Sequence, residues 1–390
     1  MLCPRRCGVN RNEKEYGFCG LDSNVRIARA SLHFWEEPEL SGEAGSGTVF
    51  FAGCNLKCVY CQNYGISRYR DSAPVSVSLS EQTSGYLPEQ ESGVKPKQPT
   101  GSLSKPVSGG MGTADHTGRI VSAEELADIF LDLQSQGALN INLVTAAMYM
   151  PDVMKALDIA KGRCSTSESE TPDIVQGHCS SEPGPPSGST PDTSDQGKPK
   201  LRVLEIPVVY NSSGYESVES LRMMEGYIDI YLPDLKYLDS DLARELSGAP
   251  DYPDVACAAI EEMVRQTRNM RSRSSDSSAC AIDNSGARTD AGNRPAVIVR
   301  HLVLPGHVKE SKRVIKYLHD TYGDEITISI MSQYTPISWQ LGDHPELNRR
   351  ITRREYDRVV DYAISIGVTN AYIQERDVAV ESFIPQWDIK

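Results

Sequence analysis

The sequence predicts an α/β protein built as an open (β/α)6 barrel, and three observations carry that reading. From Thr48 onward, short β-prone runs alternate with amphipathic helical segments, a pattern that means a parallel sheet with right-handed crossovers. Six such units can be counted, fewer than the eight of a full barrel. The polar clusters fall at the C-terminal ends of the strands, where barrel folds carry their chemistry. Residues 1–45 read as a small N-terminal Cys-containing extension. Residues 46–390 read as the barrel domain, interrupted by disordered insertions at about 70–117, 163–199 and 268–294.

Composition narrows the function classes. The 390 residues carry a formal net charge of −13, and a nucleic-acid footprint reads as a basic patch, so no nucleic-acid partner is expected. No run of eighteen apolar residues occurs, so no membrane span is expected either. The start, Met1-Leu2-Cys3-Pro4-Arg5-Arg6-Cys7, lacks the apolar core of a secretory signal. Ten cysteines are too few and too clustered for a secreted disulfide scaffold. Clustered thiols in a reducing compartment read as metal ligands, and the expected location is the cytoplasm.

In chain order, Cys3, Cys7 and Cys19, framed by Pro4, Gly8, Gly17 and Gly20, read as a loop-rich knuckle with a possible accessory metal site. Free thiols are the other reading. Residues 24–38 alternate apolar and polar as a half-buried strand does. Thr48-Val49-Phe50-Phe51-Ala52 is the first barrel strand. Ser122-x-x-Glu125 is a capping box opening a helix with Leu126, Ile129, Phe130 and Leu133 on one face. Ile141–Thr145 is a strand, and Pro151 suits the first turn of the helix after it. Ile206–Tyr210 is a strand ending in Asn211-Ser212-Ser213-Gly214, followed by a helix over Ser217–Glu225. Ile228–Leu232 is the next strand, ending in Pro233-Asp234-Leu235-Lys236, with a helix expected over Tyr252–Gln266. A strand from Val297 runs into Pro305-Gly306, and a helix spans Lys309–His319. Ile326–Met331 is the last clear barrel strand. A second capping box, Thr352-x-x-Glu355, opens the final helix before the short strand Ala371-Tyr372-Ile373. The first two insertions are rich in Ser, Gly and Pro, the third carries the run Arg-Ser-Ser-Asp-Ser-Ser, and all three are poor in apolar residues. Such segments bury too little surface to offset their ordering entropy. Cys164, Cys179 and Cys280 lie in them and are set aside as ligands.

The chemistry is expected at Gly53-Cys54-Asn55-Leu56-Lys57-Cys58-Val59-Tyr60-Cys61, where the first barrel strand ends. Three thiols at Cys-x3-Cys-x2-Cys spacing can hold three corners of a [4Fe–4S] cubane, whereas electron-transfer cubanes normally take four Cys. The fourth iron is then open to an exogenous ligand, and the amino and carboxylate groups of S-adenosylmethionine suit it. Zinc needs four ligands, usually paired Cys-x2-Cys units, and no clean partner pair follows. With Tyr60 before the third Cys, this loop resembles the radical S-adenosylmethionine superfamily. The longer context resembles the uncharacterised relatives of the pyruvate formate-lyase activating enzyme.

That resemblance implies a (β/α)6 barrel in which S-adenosylmethionine is cleaved to a 5′-deoxyadenosyl radical that takes a hydrogen atom from a substrate. It also implies an electron donor such as flavodoxin or ferredoxin and, as one substrate, a backbone glycine of a partner glycyl radical enzyme. It implies one further Cys just upstream of Cys3-Pro4, a position this sequence does not contain. Asp234 and Lys236 resemble the family's Asp-Leu-Lys element: Lys236 to neutralise the cofactor's carboxylate, Asp234 to accept from its ribose. Arg300 resembles an Arg-x-Val-x-x-Pro-Gly element, a guanidinium suited to bidentate carboxylate binding. Ser212, Gln333 and Tyr60 fall where the cofactor would lie. The family's Gly-Gly-Glu-like element, which binds the methionine amino group, is absent, and Asn142 and Thr145 are the polar residues left there. The subfamily's Pro, Thr and His are replaced by Ala146, Ala147 and Met148. Two other functions stay open: a radical enzyme acting on a small molecule, and a non-catalytic iron–sulfur or zinc-binding protein. No catalytic residue is assigned.

Overall fold

The computed structural model describes residues 2–68, 118–163, 202–276, 297–337, 341–342 and 344–374, apart from the side chains of 273–276. The expected insertion at 70–117, nearly all of that at 163–199, and Cys164, Cys179 and Cys280 lie outside the described residues.

The chain opens with β1 (Val25–His33), the short helix α1 (Pro38–Ser41), β2 (Ser46–Phe51) and the single turn α2 (Tyr64–Ser67). Next come β3 (Arg119–Val121), α3 (Ala123–Ser135), β4 (Ile141–Val144) and α4 (Met150–Ala160). The following units are β5 (Val208–Ser212) with α5 (Val218–Met223), and β6 (Ile230–Pro233) with α6 (Ser240–Ser247) and α7 (Tyr252–Asp276). The chain closes with β7 (Ile298–Leu302), α8 (Val308–Tyr322), β8 (Thr327–Met331), α9 (Arg353–Ser365) and β9 (Ala371–Ile373). Both capping boxes form. The Ser122 hydroxyl accepts from Glu125 N–H at 3.1 Å while the Glu125 carboxylate accepts from Ser122 N–H at 2.8 Å. Thr352 and Glu355 repeat the arrangement at the start of α9. Each box satisfies donors that a helix start leaves without an intrahelical partner.

The strands form a mixed, parallel-rich α/β arrangement. Six pair in the order β3-β1-β2-β4-β5-β6, and three in the order β7-β8-β9. β1 is antiparallel to both β2 and β3, and the remaining pairs are parallel. Parallel bridges from Tyr231 to Val297 and from Asp234 to Arg300 connect β6 with β7. Side chains alternate across the strands, as the pleat requires. Val49, Phe51, Leu143, Tyr210, Val299 and Ile330 enter the main core under the helices. On the other face Val209, Ile230, Leu232 and Ile298 pack round Leu40 of α1. Among the described residues no helix is long and apolar enough to cross a membrane.

α7 is longer than the apolar periodicity predicts. It continues past Gln266 to Asp276, into the start of the expected third insertion. Ion pairing holds the added turns: Arg268 forks onto the Glu325 carboxylate, and Arg271 donates to the Glu325 carbonyl at 3.5 Å. A contact from a distant segment leaves no periodic trace in the local sequence.

β7 also buries His301. Its Nδ1 faces the Leu235 carbonyl at 2.8 Å, so the neutral ring carries its proton there, and Nε2 has no partner among the described residues. Burial lowers its pKa to about 4 from 6.5. The unfolded chain therefore binds a proton that the folded chain refuses between those values, and stability falls as pH drops through that window. The loss is on the order of 3 kcal/mol, complete near pH 4 and absent above 6.5. Urea unfolding between pH 7.5 and 4.5 checks this, and a His301→Gln variant is expected to flatten the slope. An equally steep slope in the variant refutes the assignment.

Candidate functional site

β2 is buried along its whole length and leaves the sheet through Gly53. At φ +78°, with a Cβ placed 2.3 Å from Leu21 Cδ1, this position admits only glycine. The loop beyond it is fastened from several sides. Gly53 N–H donates to the Ile66 carbonyl at 2.7 Å, and the N–H groups of Lys57 and Val59 donate to the carbonyls of Ser247 and Leu246 at 3.1 and 2.9 Å. Asn55 Nδ2 donates to the Tyr215 carbonyl at 2.7 Å, Arg5 Nε donates to the Asn55 carbonyl at 2.8 Å, and an Arg68 nitrogen donates to the Cys58 carbonyl at 3.0 Å. The end of α6 and the loop after β5 thus hold the backbone that carries Cys54, Cys58 and Cys61.

Each of those thiols meets a different polar partner. Leu56 N–H donates to Cys54 Sγ at 3.4 Å, Ser247 Oγ lies 3.1 Å from Cys58 Sγ, and Ser67 Oγ lies 3.3 Å from Cys61 Sγ. Burial pushes the Cys54 thiol up to about 12, and the nearby Cys58 and Cys61 sulfurs add to it. Burial and Cys58 raise Cys61 in the same way. Such thiols stay protonated alone and ionise when a cation binds, so metal loading releases protons. Among the described residues no three His, Cys, Asp or Glu side chains converge to hold a single metal ion. A cubane asks for something different, because each Cys thiolate binds a different iron of the cluster. Three separately hydrogen-bonded sulfurs on one anchored loop, Cys58 buried and Cys54 and Cys61 partly buried, fit that demand.

The residues expected at the strand ends divide into two groups. Tyr60 is buried, bonds through its hydroxyl to the Tyr237 hydroxyl, and meets the Tyr334 ring edge-on with centroids 6.3 Å apart. Lys236 Nζ pairs with Asp234 at 2.5 Å, and its backbone N–H donates to the Tyr252 hydroxyl at 3.0 Å. Burial pulls the Lys236 amine down, but the Asp234 carboxylate and the Cys58 sulfur more than compensate and keep it charged. Ser212 Oγ accepts from Gly214 N–H at 3.1 Å. Thr145 turns the chain at φ +62°, unusual for a β-branched residue, and donates its N–H to the Asn211 carbonyl at 3.0 Å. The Gln333 carbonyl accepts from Gln62 Nε2 of the Cys loop at 2.9 Å. Tyr60, Asp234, Lys236 and Gln333 therefore gather round the Cys loop.

The side chains of Arg300 and Asn142 are held by other partners. Arg300 Nε donates to Glu37 at 2.8 Å, and its terminal nitrogen donates to Glu36 and Glu37 together. Asn142 Nδ2 donates to Glu36 at 3.0 Å, while its Oδ1 is buried without a partner among the described residues. Burial raises the Glu37 carboxyl, yet Arg300 overrides that and holds it below its ordinary range. β1 pairs antiparallel to β2 with His33 opposite Ser46, so the two glutamates arrive from the N-terminal end of the parallel strands. The sequence reading missed them. Their one signal is a pair of acids directly after an alternating strand. His33 lies edge-on to Phe50 with ring centres 6.3 Å apart. Ala146, Ala147 and Met148 are buried core residues at a 3-10 turn after β4.

At the N-terminus Cys3 and Cys19 are raised chiefly by burial, with Cys7 close to both. Phe18 N–H donates to Cys7 Sγ at 3.2 Å, and the Arg5 guanidinium lies 3.8 Å over the Phe18 ring. Glu216 is buried near Cys3, and burial pushes its carboxyl up to about 8.

No protein-family model matches the chain. An uncharacterized protein of Methanocaldococcus jannaschii is 23% identical over 366 residues, covering 93% of this chain and 73% of that protein. The crystal structure of Streptococcus suis SuiB bound to the precursor peptide SuiA overlaps 83% of this chain and 47% of that one, at 10% identity and a TM-score of 0.38. This chain spans less than half the length of that structure's chain.

Proposed function

We propose that this protein is a radical S-adenosylmethionine enzyme on an open (β/α)6 barrel, with Cys54, Cys58 and Cys61 holding a [4Fe–4S] cluster. The observation that carries the reading is the anchored loop at the end of β2, where three sulfurs, one buried and two partly buried, each have a separate hydrogen-bond partner. Cys54, Cys58 and Cys61 would hold the cluster, which would leave one iron open to S-adenosylmethionine and would supply the electron for reductive cleavage of its sulfonium. The protein's own residues bind, orient and exclude water. Lys236, kept protonated by Asp234, presents a positive charge for the cofactor's carboxylate. Asp234 also accepts from ribose hydroxyls, and Tyr60 and Ser212 line the same end of the sheet. Gln333 and Thr145 close the rim at β8 and β4. Arg300 and Asn142 act on the cofactor only after exchanging their Glu36 and Glu37 partners.

The electron donor is of the flavodoxin or ferredoxin type. The substrate is a glycine of a partner enzyme, with a small molecule as the other outcome. Cys3, Cys7 and Cys19 form an accessory metal site. A second reading, a non-catalytic iron–sulfur protein, draws on the buried apolar Ala146, Ala147 and Met148 where relatives carry polar groups. Anaerobic loading with iron and sulfide, dithionite reduction and addition of S-adenosylmethionine decide between them. Release of 5′-deoxyadenosine is expected. A reducible cluster with about four irons per chain and no such product transfers the conclusion to the second reading.

A further inference from the structure

Among the three thiols, Cys58 is the one whose partner leads deeper into the protein. Its Sγ lies 3.1 Å from Ser247 Oγ, Ser247 Oγ lies 3.1 Å from the Tyr237 hydroxyl, and that hydroxyl bonds to Tyr60. All four side chains are buried. Ser247 is also fixed by its backbone, since its carbonyl accepts from Lys57 N–H next to Cys58. The direction of the chain follows from valence. A metal-bound thiolate accepts and does not donate, so the Ser247 proton points at sulfur. With that proton committed, Tyr237 must donate to Ser247, and Tyr60 must donate to Tyr237. Every dipole then points at one sulfur, in a low-dielectric interior where such bonds reinforce one another.

We propose that Ser247, oriented by Tyr237 and Tyr60, is a positioning residue that raises the reduction potential of the cluster through Cys58. This rests on the cluster reading above. A donor on a ligating sulfur withdraws electron density and favours the more negative, reduced form, one of the ways a protein sets iron–sulfur potentials.

The test is a redox titration of the reconstituted full chain, followed by the paramagnetic signal of the reduced cluster with iron content measured in parallel. Wild type, Ser247→Ala, Tyr237→Phe and Tyr215→Phe are compared. Tyr215 is the control, because its hydroxyl bonds to Asp251 at 2.8 Å outside the chain. Ser247→Ala is expected to keep its iron and lose about tenfold in the reduced-to-oxidised ratio at fixed poise, a downward shift of about 59 mV for one electron. Tyr237→Phe should shift the same way by less, and Tyr215→Phe should match wild type. Should Ser247→Ala fail to hold iron, Tyr237→Phe decides: a lowered midpoint upholds the proposal and a wild-type midpoint overturns it. Unshifted midpoints in intact clusters overturn this proposal alone. A wild-type chain that takes up no reducible cluster overturns the cluster reading as well.

Discussion

Cys58→Ala is expected to remove the cluster from the reconstituted protein. Iron falls by about four per chain, since two thiolates on this loop cannot hold a cubane in place. The brown colour and the 5′-deoxyadenosine product disappear with it. The fold is expected to survive, because the N–H groups of Lys57 and Val59 and the side chain of Asn55 hold the loop without the thiol. Cys257→Ala, on α7, serves as the control and should retain both iron and colour. Brown colour at normal iron content in Cys58→Ala would count decisively against the ligand assignment. Cys3→Ala bears on the accessory site: a partial loss of iron with product still formed separates the N-terminal thiols from the cluster.

The second large effect is one of stability. Arg300→Met leaves Glu36 and Glu37 buried without their cation, with side chains only 7% and 6% exposed. Breaking a buried pair from one side costs about 3–5 kcal/mol, because the remaining charge keeps its desolvation penalty. Here two carboxylates are stranded, and Asn142 already spends its amide on one of them. An unfolding free energy lowered by that amount, read as a lower urea midpoint at unchanged slope, is expected, with substantial recovery when Glu36→Gln and Glu37→Gln are added. An unchanged midpoint, accompanied by weaker S-adenosylmethionine binding, would return Arg300 to the cofactor and sink the ion-cluster reading. The same measurement therefore separates the role that the motif suggests from the role that the packing supports.

The strands show how far local sequence reaches. β4, β7 and β8 fall within the β-prone runs that signal them, and β2 and β6 overlap theirs, because side-chain fit to a pleated surface is a local property. Both helix caps were legible for the same reason, since a capping box closes within four residues. α6 was not foreseen, although Asp239 caps it and Gly248 ends it at φ +63°. At eight residues its pattern is too short to stand out. Its last residue, Ser247, is the one that reaches Cys58.

What the sequence determined alone was the set of chemical groups and their spacing: three thiols on one loop, an acid and an amine two residues apart, and the alternation that builds a parallel sheet. Those signals are local, so they can be read without coordinates. Tertiary structure decided the partners. It joined Arg300 to glutamates 263 and 264 residues away, and Ser247 to a sulfur 189 residues away. It also carried α7 beyond its expected end. Each is a contact between distant segments in which burial, absent from a linear chain, decides which polar group must find which neighbour.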